Sequence, residues 1–179
     1  MNTDTSPPAP RSWADAEPLL ESAPVAYMAV VEHPSDGSTD SLPYVVPVNF
    51  ACHKASPEDD FSRTRLFFHT GVGRKTRALA RDPHVCFAVT TDVSFAAGDT
   101  PCEDGFYYRS VLIWGRAKPL EDREDRLAAL RKIVAKYDPK AAELPFDEHD
   151  FAQTQVYEVT IDDVSYKERP RHRDADRGR

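Results

Sequence analysis

The chain has 179 residues, 40% of them apolar and 30% charged, and a formal net charge of −7. That length supports one folded domain with a real core, and the acidic balance argues against a general nucleic-acid binder, whose footprint is a basic surface. No apolar run nears the ~18–20 residues of a membrane span, and Cys52, Cys86 and Cys102 are too few and scattered for disulfides or zinc, so a reduced, cytoplasmic protein is expected.

Residues 1–11 read as a disordered tail, in which Thr3, Thr5 and Ser6 run into prolines without apolar periodicity. Ser12 can cap a short helix carrying Trp13, Ala16, Leu19 and Leu20 on one side. Pro18 is tolerated only near a helix start. Then comes a strand, Val25-Ala26-Tyr27-Met28-Ala29-Val30-Val31, apolar on both faces and therefore expected to be central. Residues 33–41 are rich in Ser, Asp, Pro and Gly and read as a loop.

Pro43-Tyr44-Val45-Val46-Pro47-Val48-Asn49-Phe50 has strand composition, but Pro47 cannot donate to a ladder. It implies an edge, a bulge, or backbone turned toward a flat ligand. Residues 52–64 read as an acidic loop. Leu66 to His69 form a buried strand that passes through Gly71-Val72-Gly73 into a helix, which ends at Asp82-Pro83. Arg74, Lys75 and Arg77 stand in the first turn of that helix, where unpaired N–H groups and the helix dipole disfavour cations. A bound anion would reverse the cost, and phosphate is the usual one; a solvated basic turn is the alternative. His69 is either a hydrogen-bonded histidine at the core edge or a group at the mouth of that anion site.

Residues 85–90 form the next strand, and residues 92–105 read as a long loop. Residues 107–117 form a long strand with a bulge expected at Gly115. Its alternation puts Tyr108, Ser110, Leu112 and Trp114 on one face and Tyr107, Arg109, Val111 and Ile113 on the other. Asp122 caps a helix in which Leu127, Leu130, Ile133, Val134 and Tyr137 recur at helical spacing. Asp138-Pro139 stops it, and residues 141–150 are a connector. Residues 155–166 alternate as a strand, with Tyr157, Val159 and Ile161 inward and Glu158, Thr160 and Asp162 outward. The folded domain is set at 12–168, and the polar residues 169–179 read as a frayed tail. About six strands, mostly in succession, with two or three helices indicate a mainly β (α+β) antiparallel barrel.

Neither common phosphate-loop motif is present. His33, His53, His69 and His84 lack ligand spacing, so no metal site is expected. Ser110 and Cys86 lie within strands, where packing explains them, and the pairs Asp59-Asp60 and Asp162-Asp163 read as solvated. No self-sufficient catalytic set emerges, and chemistry carried by a cofactor fits better.

Three segments together carry a resemblance: residues 43–50; Leu66-Phe67-Phe68-His69-Thr70 with Gly73-Arg74-Lys75; and Tyr108-Arg109-Ser110-Val111-Leu112-Ile113-Trp114-Gly115-Arg116-Ala117. In order and spacing they resemble the flavin-binding split-barrel superfamily that includes pyridoxamine 5′-phosphate oxidase, nearest to its nitroimidazole-resistance (Nim-type) branch. The resemblance spans roughly residues 23–168. It implies a six-stranded Greek-key split barrel with peripheral helices, forming a homodimer with FMN at the subunit interface.

On that resemblance Val45, Val46, Pro47, Val48 and Asn49 lie along the isoalloxazine ring. Arg74 and Lys75 match the pair that holds the FMN phosphate, with Thr70 and His69 beside it. Tyr108, Arg109 and Ser110 approach from the second subunit. His69, with Tyr108 or Trp114, bounds the acceptor site and is the catalytic candidate. Gly73 stands where the oxidase branch usually has serine, and that branch's Arg-Leu-x-Pro ending is absent, so pyridoxamine phosphate oxidation itself is not expected. The implied activity is transfer of electrons or hydride from reduced flavin to a small flat acceptor, with a nitroaromatic as one candidate. The alternative is a haem- or flavin-binding storage or sensing protein without turnover, in which His69 is an axial ligand.

Overall fold

The strand expected over residues 43–50 breaks at Asn49 into two. In the computed structural model, which describes residues 13–34, 40–98 and 100–169, β2 (Leu42–Val48) pairs with β1 (Ala26–Glu32). β3 (Phe50–His53) pairs instead with β4 (Arg65–Thr70). With β5 (His84–Ala96), β6 (Gly105–Pro119) and β7 (Gln155–Arg169), the hydrogen-bonded order is β2-β1-β5-β6-β7-β4-β3. Every neighbouring pair is antiparallel. β2 and β3 stand at opposite edges of this order, yet one residue separates them in the chain. The sheet must therefore curl until its edges meet. Counted as one bent strand, β2–β3 makes the six-stranded split barrel that was expected.

Alternation fills the interior as the sequence predicts. Met28, Val30, Phe87, Val111, Ile113 and Val159 are buried, and Phe50 and Phe68 are fully enclosed. Phe68 stacks on Tyr157 with ring centroids 5.0 Å apart and planes 6° apart. α1 (Trp13–Ser22) adds Leu19 and Leu20 to this core, and α2 (Arg74–Arg81) adds Ala78 and Leu79. α3 (Arg123–Tyr137) and α4 (Glu148–Gln153) form a second cluster outside, where Leu130, Ile133 and Phe151 pack on Phe67, Ala51 and Val156. Asp122 caps α3 as expected, accepting from the Glu124 and Asp125 N–H groups at 2.8 and 3.1 Å.

Four expectations change. The loop expected over residues 92–105 is largely hairpin: β5 runs to Ala96, β6 starts at Gly105, and Phe95 meets Phe106 edge-on at 5.7 Å. A register shift between Thr91 and Ser94, with Asp92 at φ 55°, breaks the alternation and hides the strand from periodicity. The connector over 141–150 contains the start of α4, capped by Asp147 through the Asp150 N–H at 3.0 Å. Within residues 52–64, Cys52 and His53 belong to β3. Asp59 there is buried, accepting from the Ser56 N–H at 2.8 Å and pairing with Arg63, so it is not solvated. Finally, β7 continues through Arg169, opposite Tyr108, because β6 is long enough to pair with it. Residues 1–12, 35–39, 99 and 170–179 lie outside the described residues, and with them the expected N-terminal tail, the Ser12 cap and all of the expected C-terminal tail but Arg169. Among the described residues, no helix is long and apolar enough to cross a membrane.

Candidate cofactor site

The β4–turn–α2 passage forms as the sequence indicates. β4 is buried at Leu66, Phe67 and Phe68, and α2 begins at Arg74. Gly73 precedes the helix in extended backbone and has no side chain to cap it. The Thr76 hydroxyl accepts the Gly73 N–H at 3.0 Å. The N–H groups of Arg74, Lys75 and Thr76 are left without an intrahelical acceptor or a side-chain cap. Space around the turn is open: a Cβ on Gly71 or Gly73 would meet nothing within 4 Å.

Lys75 is partly buried, and that burial pushes its ammonium pKa down. Among the described residues no carboxylate pairs with it. His69 stands nearby on β4, still open to solvent, with its pKa lowered first by partial burial and then by the Lys75 charge. It is therefore a neutral imidazole at pH 7. The β3–β4 register pairs Phe50 with Phe68, the residues next in sequence to Asn49 and His69. Thr70 is buried and donates to the Gly71 carbonyl at 3.0 Å.

Asn49 is where β2 leaves one ladder and β3 joins another, and Tyr137 pins that break. Its hydroxyl accepts the Phe50 N–H at 3.0 Å and lies 3.0 Å from the Pro24 carbonyl. β2 is an edge strand, which accounts for Pro43 and Pro47. Val45, Pro47 and Asn49 face outward and are exposed, whereas Val48 is buried and Val46 packs on the core. A ring lying along this strand would meet the side chains of the first three and only the backbone of the other two.

The remaining candidates stand elsewhere. Tyr108, Ser110 and Trp114 lie on the outer face of β6, and Trp114 sits opposite Cys86 on β5. β1 and β5 separate β6 from β2, about 14 Å at three spacings of ~4.8 Å. One copy therefore does not bring both sets against a single ring. Arg109 is tied to Asp92 by a salt bridge through its Nε and a terminal nitrogen. Arg74 is tied to Glu32: its Nε lies 2.9 Å from each carboxylate oxygen, and its guanidinium covers the Tyr44 ring at 4.5 Å. Sequence spacing carries no signal for either pairing, since Glu32 and Arg74 are 42 residues apart. A separate cleft of about 370 Å³ between α1 and β3, lined by Trp13, Glu17, Cys52 and His53 among others, contains none of the predicted residues.

An uncompensated cation at an uncapped helix start, open ground before it and an apolar edge strand beside it fit a flavin phosphate and ring. Residues 12–168 match the profile of the pyridoxamine 5′-phosphate oxidase family. Among solved structures, a protein assigned to 5-nitroimidazole antibiotic resistance from Bacteroides thetaiotaomicron superposes with a TM-score of 0.66 at 22% identity, covering 86% of this chain and 81% of that one. The FAD and heme binding protein from Mycobacterium smegmatis gives 0.69 at 25%, covering 88% and 71%. The flavocytochrome Anf3 from Azotobacter vinelandii gives 0.67 at 21%, covering 88% and 67%. No curated protein matches by sequence. With the family profile running from the start of α1 to the end of β7 and the split barrel shared with these structures, the chain belongs to the pyridoxamine 5′-phosphate oxidase family.

Proposed function

We propose that this chain is a cytoplasmic FMN-dependent oxidoreductase of Nim type, acting as a homodimer on a small flat acceptor such as a nitroaromatic. The observation that carries the reading is Lys75, a partly buried cation without a carboxylate partner among the described residues, at the uncapped start of α2. The flavin phosphate takes that place, where Arg74 and Lys75 stand, and its ring runs along the outward groups of Val45, Pro47 and Asn49. Since β6 lies about three strand spacings away, Tyr108, Ser110 and Trp114 close the ring's other face from the second copy.

The bound flavin would supply the electron transfer; the chain's own residues bind, orient and exclude water. His69, held neutral, has one ring nitrogen to donate and one to accept, which suits it to hold a proton beside the acceptor. The absorption spectrum of protein purified from cells tests the reading, with two flavin bands expected. Replacing both Arg74 and Lys75 by Ala should abolish FMN retention with the circular dichroism spectrum unchanged. Undiminished flavin affinity in that double variant removes the phosphate assignment.

A second reading is supported by the two relatives whose names include haem or a flavocytochrome. In it His69, neutral and open to solvent, serves as an axial ligand. A Soret band in place of the flavin bands would select it.

A further inference from the structure

We infer that Ser41, His33 and Asp82 form a second site on this chain, a serine hydrolase centre for small carboxylic esters, in which Ser41 is the nucleophile, His33 its general base and Asp82 the residue that positions the base. The inference goes beyond the flavin reading and does not depend on it, since none of the three residues belongs to the candidate cofactor site.

The fold draws the three from separate segments. Glu32 pairs with Leu42 where the β1–β2 ladder ends. The residues next to them, His33 and Ser41, meet at 2.8 Å between ring Nδ1 and Oγ. Asp82 is the C-cap of α2 and stands 3.2 Å from the other ring nitrogen, Nε2. Ser41 and Asp82 lie 8 and 49 residues from His33, so spacing along the chain gives no sign of the set. Arg81 donates to the His33 and Pro34 carbonyls at 2.7 and 2.9 Å, which fixes the backbone that carries the imidazole.

These hydrogen bonds have one consistent direction. Asp82 is ionised at neutral pH, its carboxyl held at about 2 chiefly by the His84 backbone N–H. His84 occupies Oδ1 through that N–H at 3.0 Å and its ring Nδ1 at 2.7 Å, leaving Oδ2 for His33. An ionised carboxylate only accepts, so the neutral His33 ring carries its proton on Nε2. Its Nδ1 is then the acceptor facing the Ser41 hydroxyl. Nucleophile, base and base-orienting carboxylate stand in the roles that serine hydrolysis requires. Ser41 is exposed and open to substrate. His33 also lines a cleft of about 400 Å³ with Glu32, Arg77 and Ala80 among others, room for a small acyl or aryl ester.

In the reaction Ser41 Oγ bonds to the ester carbonyl carbon as its proton passes to His33 Nδ1, and the imidazolium so formed faces the Asp82 carboxylate. Collapse of the adduct breaks the bond to the alcohol oxygen, which leaves with that proton. Water, deprotonated by the same nitrogen, attacks the acyl-serine, and Ser41 departs with the proton. The balance is ester plus water to acid plus alcohol, with no oxidant or reductant.

The test treats the full chain with a fluorophosphonate, which loses fluoride to a base-activated serine, and with p-nitrophenyl acetate. Wild type should gain one phosphonyl group, placed on Ser41 by peptide mass spectrometry, and should release p-nitrophenol over many turnovers. Ser41→Ala, a change at an exposed position, should remove both signals. His33→Ala should slow both about a hundredfold or more, the usual weight of a general base; His33→Gln takes its place if that variant does not fold. In Asp82→Asn the limiting rate should fall with the half-saturating ester concentration unchanged, and Asp82→Glu should recover part of it. Anchoring of α2 alone would not produce that split, and an unchanged limiting rate removes Asp82 from the site. No adduct, an adduct on another residue, or equal labelling of Ser41 in the His33 variant overturns the inference. So does labelled Ser41 without p-nitrophenol turnover, or turnover that survives in Ser41→Ala.

Discussion

Asp82, just past the end of α2, gathers three donors onto one carboxylate. The His84 N–H and ring Nδ1 reach one oxygen at 3.0 and 2.7 Å, and His33 Nε2 lies 3.2 Å from the other. The His84 backbone contact leads, its ring follows, and together with His33 they hold the carboxyl pKa at about 2. A carboxyl depressed in the folded state contributes stability that is present above its ordinary pKa of 3.8 and lost as pH falls through about 2. The stability gap between wild type and Asp82→Asn, read from urea midpoints, should therefore be constant above pH ~5 and close between about pH 4 and pH 2. Parallel curves across that window would refute this account. The same side chain ties the end of α2 to β5 and to the segment after β1, so the test also reports how firmly α2 is anchored.

Among the elements, β6 and β7 show most directly how one residue sets a strand pair. Trp114 pairs with Asp163, but Gly115 pairs with Ile161, which leaves Asp162 as the extra residue of a bulge. A Cβ on Gly115 would fall 2.3 Å from the Thr160 carbonyl oxygen and 2.9 Å from a Val159 methyl. The first is backbone and cannot rotate aside, so β6 and β7 would have to part. Gly115→Ala should cost roughly 1–3 kcal/mol, the usual penalty for overpacking, in urea unfolding. Gly71→Ala, where a Cβ meets nothing within 4 Å, should stay within about 0.5 kcal/mol of wild type. Equal costs at the two positions would show that the bulge tolerates a side chain.

At the scale of the whole molecule, part of the outer face of the sheet stays uncovered and apolar. α3 and α4 shield β3, β4 and β7, while β1, β2 and β6 present Tyr27, Val31, Val45, Leu112 and Trp114 at exposures of 36–57%. A continuous apolar face of this kind marks an interaction surface. A second copy of the chain is the proposed partner, because the candidate ring contacts on β2 and β6 are too far apart to meet within one copy. Leu112→Glu with Trp114→Glu should convert a dimer to a monomer in sedimentation and remove flavin affinity at the same time. A monomeric variant that keeps full flavin affinity would mean that a single copy completes the site.

The strand alternation, the β4–turn–α2 order and the capped α3 were legible in the sequence, because each rests on periodicity or on a residue type needed locally, whereas the bulge expected at Gly115 has its extra residue on the facing strand, at Asp162. The awkwardness of Pro47 was legible too, although only the sheet order made β2 an edge strand. The 92–105 hairpin was not legible, since a bulge at Asp92 breaks the alternation that identifies strands. α4 was too short to show a helical stripe. Lys75 could be singled out from sequence, but its isolation could not. Whether a cation is free depends on which carboxylates the fold carries to it, and barrel closure carries Glu32 and Tyr44 to Arg74 and none to its neighbour among the described residues. The sequence by itself determined which faces are apolar and where the helix begins. Only the tertiary structure decided which of the adjacent cations meets a carboxylate among the described residues, because that choice is made by strand register across the barrel and not by spacing along the chain.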